Sequence, residues 1–483
     1  MGAIIGRTEE TQILSEIAST QEAELIAIYG RRRVGKTYLV HNFFENDIIF
    51  EVSGLHNASL QEQLENFKDC LLKTVPRKKI PIPENWLQAF QQLIKCVQPQ
   101  IKKRKKVLFF DEFPWMDSPR SGFMPAFENF WNSWASRQKN LVVIICGSAA
   151  SWMIRRVVHN KGGLHNRITR QIRLLPFSLA ETEDFFRAQH VKLDRYQVLQ
   201  LYMAMGGVPQ YLKQVKRGES AVQAIDRVCF SKDSYLTNEF DNLYRSLFDS
   251  AQHHIAIVKA LAGKPSGLTR NEVIHTLRLS SGGGITQTLE ELTESGFITS
   301  YVPFGKTVKN SIYKLTDEYS LFYLKFIAAN KKTGRGTWLK LFNTASWKSW
   351  SGYAFEAICQ KHLEQLKTAL GISGIYTKDS IWRSTAKATA RKGAQIDLVM
   401  DRNDRCINLF EMKFSTGMFV LTKAYLSELL NKQELFIEHT GTRKTVFLGM
   451  MTTYGIRNAE DLAGIVQHQL TMDVLFRPVQ PVL

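Results

Sequence analysis

The chain has 483 residues with 44% hydrophobic and 22% charged side chains, the make-up of an ordinary globular protein of about three domains. No apolar run reaches the ~20 residues a membrane-spanning helix needs. No charged segment followed by an apolar one opens the sequence, so no secretory signal is expected. Cys70, Cys96, Cys146, Cys229, Cys359 and Cys406 lack CxxC pairing, which argues against a zinc site or a disulfide framework and fits a reducing cytoplasm. The net charge of +18 points instead to an anionic partner, of which nucleic acid is the usual one.

The first chemistry-bearing element is "ELIAIYGRRRVGKTYLVHNFF". Leu25 to Tyr29 reads as a buried parallel strand, and an amphipathic helical stretch follows the loop. Between them Gly30, Arg31, Arg32, Arg33, Val34, Gly35, Lys36 and Thr37 fit G-x-x-x-x-G-K-[ST]. In that context the glycines let backbone N–H groups wrap a phosphate, and the helix start adds its positive dipole end. Lys36 is expected to reach the β- and γ-phosphates of ATP, and Thr37 to hold Mg²⁺. "KKVLFFDEFPWM" reads as a second buried strand. It ends in Asp111, which suits the Mg²⁺ shell, and Glu112, which suits polarising the attacking water. "LVVIICGSAASWM" is a third, and Ser148 at its end reads either as a γ-phosphate sensor or as a strand-terminal turn residue.

These segments, with "IIGRTEETQIL", "LLPFSLAE" and "GGVPQYL", stand in the order seen in archaeal-type ATPases, and the chain resembles that group within the STAND branch of the AAA+ P-loop proteins. The resemblance implies a nucleotide-proximal role for Arg7 and a γ-phosphate contact for Arg167. It also implies a small helical lid after the ATPase core, with Pro209 near the nucleotide; a plain helix–helix turn at Gly206 to Pro209 is the other reading. Pro209 suits the first turn of a helix in either case.

Farther along, "LTRNEVIHTL", "ITQTLEELTESGFI", "FITSYVPF" and "NSIYKLTD" read as two helices and a hairpin, the order of a winged helix. Its second helix carries Glu290, Glu291 and Glu294, which favours docking against protein over reading a DNA groove. Residues 319–355 contain no acid, while Lys325, Lys331, Lys332, Arg335, Lys340 and Lys348 alternate with Trp338, Phe342, Trp347, Trp350 and Tyr353. Such a segment suits a backbone-tracking, base-stacking surface, or an amphipathic helix that buries its rings.

The last third reads helix, three strands, helix, strand. Glu356 lies on "WSGYAFEAICQKHLEQL", Asp397 in "QIDLVM", and Glu411 and Lys413 in "INLFEMKFS"; a basic loop, "WRSTAKATARKG", precedes Asp397. Asp397 and Glu411 on neighbouring strands can share a face, and alternation puts Lys413 there too. Two carboxylates so placed can bind Mg²⁺, with Glu356 adding a ligand and Lys413 stabilising phosphoryl charge. This order and spacing resemble the PD-(D/E)XK nuclease superfamily.

The expected architecture is therefore α/β: a P-loop AAA+ core (1–176), a helical lid (177–247), a winged helix (248–318), a basic aromatic linker (319–350), and a restriction-endonuclease-like α/β domain (351–483). The expected function is an ATPase coupled to a metal-dependent nuclease-like domain acting on DNA or RNA; the alternative is a nucleotide-operated switch that binds nucleic acid or protein without cleaving. The cofactors are ATP and Mg²⁺. The partners are nucleic acid, with no membrane, and a second copy or a protein on the winged helix.

Overall fold

A computed structural model describes residues 3–75, 79–101, 104–148, 150–153, 156, 167–232, 234–248, 250–280, 282–331, 333–384, 393–457 and 464–479. Two compact units emerge, one of residues 1–176 with 242–251, the other of 177–241 with 252–483. No helix among the described residues is long and apolar enough to cross a membrane.

The first unit is built on a parallel sheet of β1 (Glu24–Tyr29), β2 (Ile48–Ser53), β3 (Lys106–Asp111), β4 (Leu141–Gly147) and β5 (Arg170–Arg173), in the order β2-β3-β4-β1-β5. Every residue of β1 and β4 is buried. The reason is that each strand feeds two cores. Leu25, Ala27 and Tyr29 face one with Leu108, Phe110, Val143 and the helices Leu60–Thr74 and Trp86–Val97; Ile26 and Ile28 face the other with Phe109, Ile144 and Leu39. A sheet covered on both faces is encoded as continuous apolar runs, which is how these strands read. The order also inserts β4 between β1 and β3, so the residue after β4 emerges between the phosphate loop and the acidic end of β3.

The second unit begins with helices whose starts are written in the sequence. Ser178 with Glu181, Ser220 with Gln223 and Thr269 with Glu272 each close a capping box. Gly206 and Gly207 are there for space as much as for the turn. Gly206 has φ +64°, and a Cβ on Gly207 would meet the Phe177 carbonyl oxygen at 1.8 Å. Pro209 then opens the helix Pro209–Leu212.

The helices Arg270–Leu277 and Gly283–Glu294 accompany an antiparallel sheet in the order β6-β8-β7, formed by β6 (Leu268–Thr269), β7 (Ile298–Tyr301) and β8 (Ile312–Leu315). Glu291, one of the three acids read on the second helix, is buried and meets His254 Nε2 at 2.8 Å. The rings of Trp338, Trp347 and Trp350 are buried, packing with Phe322, Phe326 and Phe342; Tyr353 is half exposed. Lys332 lies outside the described residues.

The final sheet runs β13-β12-β11-β10-β9, from β9 (Thr377–Arg383), β10 (Gln395–Arg402), β11 (Cys406–Lys413), β12 (Thr445–Thr452) and β13 (His468–Thr471). β9, β10 and β11 pair antiparallel, while β11, β12 and β13 pair parallel. Two details differ from the sequence reading. Trp382 and Arg383 belong to β9 rather than to the basic loop, because Trp382 packs on Phe436 in the core; residues 385–392 of that loop lie outside the described residues. β13 was not anticipated, since "HQLT" has neither length nor alternation; it forms by edge pairing with β12.

Candidate functional site

The loop after β1 depends on backbone that few residues adopt. Gly30 has φ +151°, with room for no side chain: a Cβ would stand 2.2 Å from the Leu174 carbonyl oxygen. Arg33 at φ 69° and Gly35 at φ +95° complete the turn into the helix Lys36–Phe43. Val34 and Arg31 are buried, and Arg32 lies 5.8 Å from the Trp115 ring. Lys36, itself buried, donates from Nζ to the carbonyls of Gly30 and Arg31, each at 3.0 Å. The ammonium is thus held across the loop, over the place where the loop would wrap a phosphate. Arg7 reaches in from another direction and donates from Nη2 to the Val34 carbonyl at 3.0 Å.

Opposite the loop, Thr37 donates its hydroxyl to Asp111 Oδ2 at 2.8 Å, and Asp111 Oδ1 accepts the Glu112 N–H at 3.0 Å. A helix-start hydroxyl and a strand-end carboxylate are therefore within one hydrogen bond of each other, 74 residues apart in sequence. Glu112 takes the left-handed conformation at φ 43°, a strained choice for a side chain of its size. Its carboxylate is gripped by Ser148, which donates its hydroxyl to Oε1 and Oε2 at 2.8 and 2.7 Å and its backbone N–H to Oε2 at 3.2 Å. That link between Ser148 and Glu112 could not be read from the sequence, because it depends on β4 lying beside β3. Arg167 stands exposed on a turn ahead of β5, and no hydrogen bond or ion pair joins it to this cluster among the described residues.

A second cluster sits in the other unit. The antiparallel register Leu398↔Phe410, carried one step on, sets Asp397 across from Glu411. Both are buried, and Asp397 Oδ2 accepts the Met412 N–H at 3.1 Å. Burial, then the charge of Asp397, hold the Glu411 carboxyl above the usual carboxylate range. Three groups engage it: Lys432 at 2.9 Å, Lys413 at 3.3 Å and the Tyr425 hydroxyl at 3.2 Å. Burial works against the charge on Lys413, but Glu411 and Asp397 outweigh it and raise its pKa.

Glu356 is on the helix Ala345–Lys361, one turn from Gln360, which donates to Glu356 Oε1 at 3.2 Å and to the Asp397 carbonyl at 2.9 Å. Burial and then Asp397 raise the Glu356 carboxyl too. Its closest partner is Lys314 of β8, whose Nζ lies 2.7 Å from Oε1. The sequence reading missed Lys314, Lys432 and Tyr425. Tyr425 and Lys432 had a signal, being seven residues apart on one helix face; Lys314 had none.

As they stand, no three His, Cys, Asp or Glu residues are grouped so as to hold a metal ion among the described residues. The donors nearest to such a site are Asp397 and Glu411, two buried like charges facing each other. A divalent cation would relieve that repulsion, so this pair fits one. Glu356 is tied to Lys314, and the charge of Asp397 acts on it as well. At the other cluster, Thr37 and Asp111 supply oxygen donors suited to Mg²⁺.

Comparison with known proteins bears on the N-terminal part of the chain. The chain is 25% identical over 436 residues to an uncharacterized protein of Methanocaldococcus jannaschii, covering 89% of this chain and 92% of that one. It is 45% identical over 49 residues to an uncharacterized ATP-binding protein of the same organism, covering 10% of this chain and 83% of that one. Among solved structures it is similar to the Walker-type ATPase of Pyrococcus abyssi, at 17% identity and a TM-score of 0.45, over 66% of this chain and 96% of that one. Residues 5–215 match the family described as an ATPase domain predominantly from Archaea.

Proposed function

We propose that the chain is an ATP-hydrolysing switch of the AAA+/STAND kind, and that its C-terminal sheet is a PD-(D/E)XK nuclease-like domain acting on DNA or RNA. On this reading residues 177–247 form the lid, 248–318 a winged helix that docks on protein, and 351–483 the nuclease-like domain. The observation that carries the second half is that Asp397 and Glu411, the residues next after the last paired positions of β10 and β11, are both buried, with Asp397 accepting the Met412 N–H and Lys413 3.3 Å from Glu411.

In the ATPase, the amides of Gly30 to Thr37 wrap the phosphates, and Lys36 leaves the carbonyls of Gly30 and Arg31 for the β- and γ-oxygens. Thr37 and Asp111 would hold Mg²⁺, which supplies charge neutralisation between those phosphates. Glu112 takes the proton of the attacking water, and for that it must turn from Ser148. In the nuclease-like domain, Asp397 and Glu411 would hold a divalent ion that polarises the phosphodiester and acidifies a water. Lys413 lies 3.3 Å from Glu411 and is placed to offset charge on the phosphoryl oxygens.

A second reading is favoured by a specific observation: Lys314 and Lys432 already neutralise Glu356 and Glu411. On that reading the domain binds nucleic acid without cutting it. Thermal melts of wild type and Asp397→Ala in EDTA and in Mn²⁺, with cleavage assays on plasmid, single-stranded DNA and RNA, separate the two. A Mn²⁺-dependent rise in Tm that Asp397→Ala abolishes, together with cleavage, supports the nuclease. Identical melts and no cleavage of any substrate leave the binding module.

A further inference from the structure

Within the second unit, the helix Ala251–Ala262, strand β8, the π-helical segment Tyr323–Ile327 and the helix Ala345–Lys361 line a cavity of about 470 Å³. That volume lies within the range of small-molecule sites, roughly 300–1,000 Å³. Much of the wall is aliphatic, but the polar groups are sorted. Lys259, Lys325 and Tyr353 are exposed; Lys314, Glu356 and Gln360 stand at the buried side.

Glu356 is the one acid lining the cavity, and its charge is already met by Lys314 at 2.7 Å. No ion pair answers Lys259 or Lys325 among the described residues. The cavity therefore carries a net positive charge at its exposed side. Tyr353, which lines the same cavity as those lysines, is 49% exposed, although the tryptophans of the same acid-free segment are buried. A stacking ring next to two unanswered ammonium groups, around a space too small for a duplex, is suited to one nucleotide.

We propose that this cavity binds a single phosphate-bearing nucleotide, either free or as the phosphorylated end of a single strand. Lys259 and Lys325 neutralise the phosphate and Tyr353 stacks on the base. Because Glu356 lines the cavity, the occupant lies beside the carboxylate cluster; only this last consequence rests on the nuclease-like reading.

The test uses the full chain carrying Lys36→Ala, so that the phosphate loop does not compete, in EDTA, so that nothing is cleaved. Binding of a fluorescein-labelled five-residue oligothymidylate is measured with and without a terminal phosphate, and thymidine 5′-monophosphate is added as competitor. The phosphorylated strand is expected to bind about tenfold more tightly. Lys259→Glu with Lys325→Glu should erase that preference, and Tyr353→Ala should weaken both strands about tenfold. Unchanged thermal melts establish that these exposed substitutions leave the fold intact. Displacement by the mononucleotide identifies a pocket for free nucleotide, and its absence one for strand ends. Equal affinity for the two strands, or a preference that survives the charge reversal, overturns the proposal. Phosphate-dependent binding in a protein that never cleaves would remove the nuclease and keep this site. Cleavage without that preference would do the reverse.

Discussion

Replacing Lys314 by Met removes the ammonium from the Glu356 pair without removing much volume. The pair is close, at 2.7 Å, and its side chains are 8% and 12% exposed, so water screens it little. The gross attraction at an effective dielectric of 20 is about 6 kcal/mol. What the substitution costs is smaller, because Lys314 is then no longer desolvated, and about 3 kcal/mol is expected for stranding a buried carboxylate. The carboxylate left behind faces a second unfavourable influence, since burial and Asp397 both disfavour its charge. With a urea dependence of roughly 3 kcal/mol per molar, the midpoint of the transition should fall by about 1 M. Adding Glu356→Gln removes the stranded charge and should return most of that loss, giving a coupling of at least about 2 kcal/mol in the double-mutant cycle. Mn²⁺ extends the experiment. At a hundred times its Kd, an ion bound only by the folded state adds about 2.7 kcal/mol, and the gain should be larger in Lys314→Met than in wild type if Glu356 then joins Asp397 and Glu411. Urea titrations of the four proteins, followed by tryptophan fluorescence, decide it. A Lys314→Met midpoint that coincides with wild type would refute the reasoning that this ion pair is little screened and that its loss strands the Glu356 charge.

Lys36→Ala should lose ATP binding, whereas Glu112→Gln should bind ATP normally and hydrolyse it at least a hundredfold more slowly; filter binding and phosphate release measure the two. Ser148→Ala frees the Glu112 carboxylate from the side chain that grips both its oxygens, and should change kcat by about tenfold with little effect on ATP affinity. Acid should weaken the second unit through His362. Burial pushes its imidazole down to about 4, and the neutral ring accepts the Leu179 N–H at 3.1 Å while meeting the Ile358 carbonyl at 2.8 Å. A folded pKa below the unfolded value near 6.5 means that the unfolded chain takes up the proton first. Stability is therefore lost between about pH 6.5 and 4, by up to about 3 kcal/mol, and is level below that. Urea midpoints at pH 7.5, 5.5 and 4 should converge for wild type and His362→Asn as the pH falls.

The amino-acid sequence determined those parts of this protein whose chemistry is contiguous in the chain. Gly30 to Thr37 form a phosphate loop from neighbouring residues, and β1, β3 and β4 are legible because strands covered on both faces need unbroken apolar runs. Asp397, Glu411 and Lys413 were visible as polar residues inside such runs, where burial demands a reason. The tertiary structure alone decided what those side chains touch. Ser148 grips Glu112 only because β4 is inserted beside β3. Lys314 meets Glu356 from 42 residues away, and Glu291 is a buried partner of His254. Trp338, Trp347 and Trp350 entered the core while Tyr353 stayed half exposed. Periodicity records which face of an element is apolar. It does not record which charge from a distant element will be desolvated against it, because that depends on packing and on the electrostatics that packing creates.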